Sequence, residues 1–384
     1  MKPEPQQRIL AFLEERRDSG LLRRISVFDT AAEVLNLAGN DYLDLARDPA
    51  VIEAACAATR RYGASSSASP LITGYTEAHR NLEERLCSWH RSPAGLIWNS
   101  GFTANQAVLS CLPQKGDLVL ADRLVHHSMI SGILRSGARL QRYRHLDLDH
   151  LESLLRKEAP SGRTVFVVTE SVFSMDGDSP DLSAMAGLKA KYGFFWIVDE
   201  AHATGWYGPE GAGLLTESGG AEAADVIVGT LGKALGSQGA YTLFRDVNLR
   251  EFLINTAGEF IYSTYLAPAC AAAATAAIER ARDLAAEQPG WRAASSTLRK
   301  ALAADCWRVP PGDSPIVPLM IGSAEETMAL EARLSAQGLR TGAVRPPTVP
   351  EGSSRLRLSL KRTLCEEDYH RIRDALTRAS QRES

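Results

Sequence analysis

Short, unbroken apolar runs recur through the middle of the chain: Gly95-Leu-Ile-Trp98, Leu118-Val-Leu120, Thr164-Val-Phe-Val-Val168, Phe194-Phe-Trp-Ile-Val198 and Val226-Ile-Val228. They are rich in β-branched and aromatic residues, and helix-sized stretches separate them. Continuous rather than alternating hydrophobicity suits strands buried on both faces, and spacers of that size are what parallel strands need to cross over. The pattern predicts an α/β domain whose mainly parallel sheet is sandwiched by helices.

The flanks read differently. Gln6 to Arg17 sets Ile9, Leu10, Phe12 and Leu13 at helical spacing, which predicts an amphipathic first helix. Gly63 to Gly74 is a run of small residues that suits a linker or a loop packed against a ligand, and His79 to Trp89 is again helical. Beyond about residue 270 an Ala-rich helix, Cys270 to Ala286, is broken at Gln288-Pro-Gly-Trp291. A strand at Ser314 to Ile321, a helix at Glu326 to Gln337, an alternating strand with one wet face at Ser354 to Leu360 and a last helix at Glu366 to Ala379 follow. The expected divisions are an N-terminal segment, 1–50, packing with the small domain, a large α/β domain, 51–270, and a smaller α+β C-terminal domain, 271–384.

Composition narrows the partners. Forty-three basic against 46 acidic residues leave a formal net charge of -3, which favours neither nucleic acid nor an anionic membrane. No apolar run approaches a bilayer span, and Met1-Lys-Pro-Glu-Pro-Gln-Gln lacks the apolar core of a secretory signal, so the expected location is the cytoplasm. The six cysteines are scattered without a Cys-x-x-Cys pair, which predicts buried free thiols rather than a disulfide framework or a zinc site.

Each apolar run is followed by polar or titratable residues: Asn99 to Asn105, Asp122 and His126, Glu170 and Ser174, Asp199 and His202, Thr230 and Lys233. Ligands of an open parallel sheet bind outside the carboxyl ends of its strands, so this coincidence marks a site. Asp199 and His202 without a matching third His or Cys make a poor zinc site. A Ser-His-Asp triad lacks its Gly-x-Ser-x-Gly elbow, and Asp199-Glu200 as a magnesium-holding pair lacks the Gly-x-x-x-x-Gly-Lys-Ser/Thr loop.

Pyridoxal phosphate uses the whole set. It needs a lysine amine, which Lys233 offers, and an acid against its ring nitrogen, which Asp199 offers. Ser100-Gly-Phe-Thr opening a helix provides N–H groups for a phosphate, Thr230 adds a hydroxyl, and His126, with His127 as its rival, supplies a flat group for the ring face.

The motifs Asp122-Arg-Leu-Val-His-His-Ser128, Glu170-Ser-Val-Phe-Ser-Met-Asp-Gly-Asp178, Val198-Asp-Glu-Ala-His-Ala-Thr-Gly205 and Gly229-Thr-Leu-Gly-Lys-Ala-Leu-Gly236 together resemble the α-oxoamine synthases. These are fold-type I pyridoxal-phosphate transferases that condense an amino acid with an acyl thioester and release CO2. The resemblance runs from about Arg16 to the C-terminus, and Arg345-Pro-Pro-Thr-Val-Pro350 with Arg355-Leu-Arg-Leu358 is closest to one branch of the family.

The resemblance implies roles. Lys233 anchors the cofactor, Asp199 meets the ring nitrogen, Ser174 and His202 the phenolate oxygen, and His126 stacks on the ring. Gly101, Phe102 and Thr230 bind phosphate, and Arg357 binds the amino-acid carboxylate. Arg23 and Thr348 match acyl-substrate positions, while Asn40 and Glu170 line the site. No metal is implied, and the acyl thiol is CoA or a carrier protein. A homodimer with its site at the interface is implied too, with Tyr262-Ser-Thr264 reaching the partner's phosphate. Pro70, where relatives carry a basic or His side chain, and Asp44, where Gly is common, depart from the pattern on the acyl side. Sister activities using glycine or serine, and a non-catalytic subunit of the same fold, remain the alternatives.

Overall fold

The computed structural model describes residues 4–25, 27–28 and 34–380; Met1 to Pro3 of the opening stretch lie outside the described residues. The chain forms two compact units, one of Asn40–Ser174 with Asp178–Arg292, the other of Met1–Gly39, Met175–Gly177 and Ala293–Ser384.

The larger unit is built on a seven-stranded sheet. Its strands are β1 (Ala94–Trp98), β2 (Leu118–Asp122), β3 (Arg139–Tyr143), β4 (Val165–Glu170), β5 (Phe195–Asp199), β6 (Val226–Thr230) and β7 (Ala240–Phe244). They lie in the order β1-β7-β6-β5-β4-β2-β3. Strands β6, β5, β4, β2 and β3 run parallel, and β7 is antiparallel to both of its neighbours. The five apolar runs all become strands, and each is almost wholly buried. Strand β3, with the sequence Arg-Leu-Gln-Arg-Tyr, is an edge strand, which explains its polar reading.

The register does the positioning. Glu170 on β4 pairs with Asp199 on β5, and Asp199 with Val228 on β6, so the polar residues stand level at the carboxyl edge. Gly229 on β6 has no room for a side chain: a Cβ there would sit 2.1 Å from the Tyr241 ring on β7. After Lys233 the chain turns at Gly236 with φ +58°, and a Cβ would lie 2.2 Å from Ala46 N.

Helix Pro268–Asp283 packs on Pro49–Tyr62 and Glu77–His90, and so belongs to this larger unit. Gln288-Pro-Gly does not simply interrupt that helix; it opens another, Gln288–Ala304, with Pro289 in the first turn, where a missing N–H costs nothing. The small-residue stretch is not a linker. It turns tightly at Pro70–Gly74, Ser66 Oγ donates to Leu266 O, and Tyr265 N donates to Ala68 O at 3.0 Å.

The smaller unit holds β8 (Ile316–Gly322), β9 (Gly342–Val344) and β10 (Ser354–Ser359) in the antiparallel order β9-β10-β8. Leu35 pairs with Leu339, and Ser359 N donates to Leu37 O at 2.7 Å, so the N-terminal segment is stitched into this unit. The wet face expected of Ser354 to Leu360 is absent: every residue of β10 is buried. Arg355 pairs there with Asp176, and Arg357 Nη1 donates to Ser359 Oγ at 3.0 Å, which is how a polar-looking face sits inside. The first helix, Pro5–Asp18, forms as the spacing predicts, but none of its residues is buried. The cysteines are free as expected, yet none is fully buried, and Cys306 and Cys365 are exposed.

Candidate active site

Lys233 stands just past β6 in the tight turn that Gly236 closes, half-buried, with its Nζ 2.7 Å from His202 Nε2. His202 is buried, and its Nδ1 lies 2.7 Å from the hydroxyl of Tyr42, which in turn donates to Asn40 Oδ1 at 3.2 Å. Asn40, His202 and Lys233, distant in sequence, thus meet through Tyr42.

Asp199 ends β5 and is buried; Ala201 N donates to its Oδ1 at 2.8 Å and Asn105 Nδ2 to its Oδ2 at 2.7 Å. The same Asn105 amide donates to Ser128 Oγ at 3.1 Å. Ser128 Oγ lies 2.7 Å from His126 Nδ1, so one chain of contacts runs from Asp199 to the histidine. His126 caps helix His127–Ser136, with its Nδ1 accepting from Ser128 N at 3.3 Å. The residue is exposed, yet the protein packed around its ring lowers its pKa by desolvation; Asp199 opposes the shift and Lys233 adds to it. A neutral, flat ring results. His127 is exposed too and also neighbours Phe102, but the contacts to Ser128 Oγ and Ser128 N belong to His126.

Glu170 faces Asp199 across matched strands, and burial, then the Asp199 charge, push its pKa up to about 8, with Lys233 opposing. Glu170 therefore holds its proton at neutral pH. Its Oε2 accepts from Ser174 N at 3.2 Å, which draws Ser174 to the same edge.

Beyond β1, Ser100 caps helix Gly101–Cys111 by accepting from Thr103 N at 3.1 Å. Gly101 opens that helix, and a Cβ on it would lie 3.9 Å from Thr230 Oγ1. Thr230 Oγ1 also accepts from Gly232 N at 3.2 Å. N–H groups, a helix start and a hydroxyl thus converge as an anion cradle requires. Phe102 is 43% exposed at its rim. Nearby, Asn99 Nδ2 donates to Ser263 Oγ at 3.0 Å and Thr264 O at 2.8 Å.

The donor set fits pyridoxal phosphate. It offers a lysine amine, a buried carboxylate held by Ala201 N and Asn105 Nδ2, a flat imidazole ring and an anion cradle. Two buried side-chain oxygens, Glu170 Oε1 and Asn105 Oδ1, have no partner among the described residues, and a polar ligand would answer them.

Arg23, Thr348 and Arg357 belong to the smaller unit. Arg23 Nη2 donates to Thr348 Oγ1 at 3.0 Å, and both line a cavity of about 440 Å³ with Arg24, Arg340 and Arg345. Arg345 donates to Gly20 O and Leu22 O and so ties the N-terminal segment to this wall. Arg357 is buried on β10. Of the two departures, Pro70 is buried and Asp44 takes a left-handed φ of 56°, the conformation that a glycine adopts freely.

Two residues of this constellation escaped sequence reasoning. Asn105 carried one available signal, a lone amide on the apolar face of helix Gly101–Cys111. Tyr42 carried none, being one more residue in a turn-rich stretch.

Residues 32–376 match the family Aminotransferase class I and II. The chain is 42% identical over 358 residues to 8-amino-7-oxononanoate synthase of Geobacter metallireducens, covering 93% of this chain and 91% of the relative. Identity to 8-amino-7-oxononanoate synthase of Chlorobaculum parvum is 42% over 341 residues, covering 87% and 86%. Among solved structures, a serine palmitoyltransferase from S. paucimobilis with a bound PLP-myriocin adduct superimposes with a TM-score of 0.92 at 25% identity, covering 98% of each chain. With the family matched over residues 32–376 and these likenesses running along nearly its whole length, the chain belongs to the class I and II aminotransferase family and, within it, to the 8-amino-7-oxononanoate synthases.

Proposed function

We propose that this chain joins L-alanine to a pimeloyl thioester, giving 8-amino-7-oxononanoate, the free thiol and CO2 in biotin biosynthesis. One observation carries the reading: Lys233, His202, Asp199 and Glu170 gather at one sheet edge in a chain 42% identical to enzymes of that name. Pyridoxal phosphate, when bound, supplies the electron sink that makes the Cα proton of the amino acid removable. Lys233 would be its covalent anchor and, with the amino acid in its place, Nζ would take the Cα proton and later return one. His202, 2.7 Å from that nitrogen, offers the proton a second seat.

Asp199 would meet the ring nitrogen. Ser174 and His202 would hold the phenolate oxygen, His126 would cover the ring face, and Gly101, Phe102 and Thr230 would receive the phosphate. Arg357 binds the amino-acid carboxylate, Asn40 and Glu170 line the site, and Arg23 and Thr348 bind the acyl donor, a thioester of CoA or of an acyl carrier protein. Tyr262 is 86% exposed, which suits a homodimer in which Tyr262 to Thr264 reach the phosphate of a second copy. No helix among the described residues is long and apolar enough to cross a membrane, which is consistent with the proposed cytoplasmic location.

The test is a grid of glycine, alanine and serine against acetyl-, succinyl- and pimeloyl-CoA, following thiol release. Alanine and glycine differ by one methyl, worth about 1–3 kcal/mol, so the preferred pair should lead by at least ~10-fold. Turnover of glycine with acetyl-CoA alone would move the assignment to 2-amino-3-ketobutyrate ligase, and with succinyl-CoA alone to 5-aminolevulinate synthase. A protein that gains no visible band with pyridoxal phosphate and releases no thiol would be a non-catalytic subunit, and the proposal would fail.

A further inference from the structure

Three side chains that the proposed chemistry leaves unused meet beside the site. His145 follows β3; its Nδ1 lies 2.8 Å from Asp122 Oδ1 and its Nε2 3.1 Å from Asp178 Oδ2. An ionised carboxylate only accepts, so both ring nitrogens must carry hydrogen and the ring is an imidazolium. Burial by itself would depress its pKa, but hydrogen bonds and charge from Asp122 and Asp178 outweigh that and raise it to about 9.

Each carboxylate governs a loop that carries a cofactor-facing residue. Asp122 ends β2; its Oδ1 also accepts from Leu124 N at 2.9 Å and its Oδ2 from Leu146 N at 2.9 Å. Val125 N donates to its carbonyl at 3.2 Å, which shapes the turn that delivers His126. Asp178 closes the loop beyond β4, its carbonyl accepting from Phe173 N at 2.9 Å. The Phe173 ring meets the His145 ring at 4.5 Å and 90°, and the next residue is Ser174. Asp178 Oδ1 is buried without a partner among the described residues, so the imidazolium is what answers that charge.

The geometry points to His145 as a positioning residue that locks the loop carrying His126 to the loop carrying Ser174. The inference rests on the pyridoxal-phosphate reading of those two residues. Its charge matters because two carboxylates would otherwise be held close together with nothing between them. The groups around it are Asp122 from β2, Tyr143 from β3 and Asp178 from the loop; Arg144 turns away to Asp147 at 2.7 Å, and Arg123 is exposed. Burial, then the Asp122 charge, hold the Tyr143 hydroxyl protonated far above its usual range, which leaves the imidazolium as the group that titrates here on the alkaline side.

The sign follows. A pKa raised from about 6.5 to about 9 gives a contribution that is complete below about pH 6.5 and lost as pH rises through about 9.

The experiment follows hydrogen exchange of the full-length apo protein in peptides spanning 122–128 and 170–178, and the visible band of the loaded protein, for wild type, His145→Asn and Ser174→Ala. We expect exchange in both peptides of His145→Asn to quicken by about tenfold, and in wild type between pH 8 and 10 after correction for base catalysis. The pH midpoint of the band should move by about half a unit or more in His145→Asn. Unchanged exchange would overturn the clamp. Faster exchange with an unmoved midpoint, while Ser174→Ala moves it, would reduce His145 to a structural part and overturn the positioning role. An unmoved midpoint in Ser174→Ala would instead remove Ser174 from the ring, leaving exchange alone to decide the clamp. Should His145→Asn fail to fold, Asp178→Asn, which keeps an acceptor and removes a charge, carries the same test.

Discussion

The carboxyl edge of the large sheet and the arginine-lined cavity of the smaller unit differ in how their charges are held. At the sheet edge Asp199, Glu170 and His202 are buried, and each meets a partner within 3.2 Å. In the cavity Arg23 and Arg24 are exposed, and Arg23 rests on a threonine hydroxyl. A buried charge without a partner costs several kcal/mol, so burial dictates which groups stand together. An exposed guanidinium costs little wherever it points, so it specifies little. The first region should therefore fail sharply when altered, and the second only by degrees.

Lys233→Ala is the harshest test of the contrast. Alanine has no amine to set 2.7 Å from His202 Nε2, so turnover should drop on the order of 10⁴-fold or more in a protein whose circular dichroism and melting are preserved. Single-turnover and steady-state thiol release would both report it. Turnover within about tenfold of wild type would refute the lysine's role and, with it, the idea that this edge is the reacting region.

The legibility of the two regions follows the same division. Strands β1, β2, β4, β5 and β6 could be read because burial on both faces demands unbroken apolar runs. Strand β3 could not, because an edge position tolerates Arg-Leu-Gln-Arg-Tyr, and β7 is hidden behind the glycine-rich turn that carries Lys233. Strand β10 misled for a physical reason: alternation usually means one wet face, but here its arginines find partners inside. Motif spacing marked Asp199, Lys233 and His126, whereas Asn105 showed only as an amide on an apolar helix face and Tyr42 acts through tertiary contacts that no local pattern announces.

Asn105 supplies the intermediate test. Its amide donates to both Asp199 and Ser128, so Asn105→Asp would turn a donor into an acceptor 2.7 Å from a buried carboxylate. Two acids at that distance do not both ionise, and a proton shared between them would weaken the charge that Asp199 offers the ring. Turnover should fall by about 10²-fold, with weaker cofactor retention, and the loss should ease in Asn105→Ala, which removes a donor at a cost of about 1–3 kcal/mol in stability without adding a charge. Equilibrium dialysis of the cofactor alongside kcat distinguishes the two variants. Equal losses in both would mean that packing, not the charge on Asp199, is what Asn105 protects.

Arg23→Ala should have the smallest effect, and its smallness is informative. An exposed cation that bonds a hydroxyl at 3.0 Å contributes about 0.5–1 kcal/mol to binding an anionic acyl donor, so KM for pimeloyl-CoA should rise only ~2–5-fold. The rise should shrink with added salt, because screening over about 10 Å at 0.1 M already weakens the wild-type contact. Neither kcat nor the visible band of the bound cofactor should change, since Arg23 does not belong to the chain of contacts that links Asp199, Asn105, Ser128 and His126. A fall in kcat, or a shifted band, would show that the arginine cavity reaches the reacting groups directly, and the division between a tightly paired edge and a loosely specified anion wall would have to be abandoned.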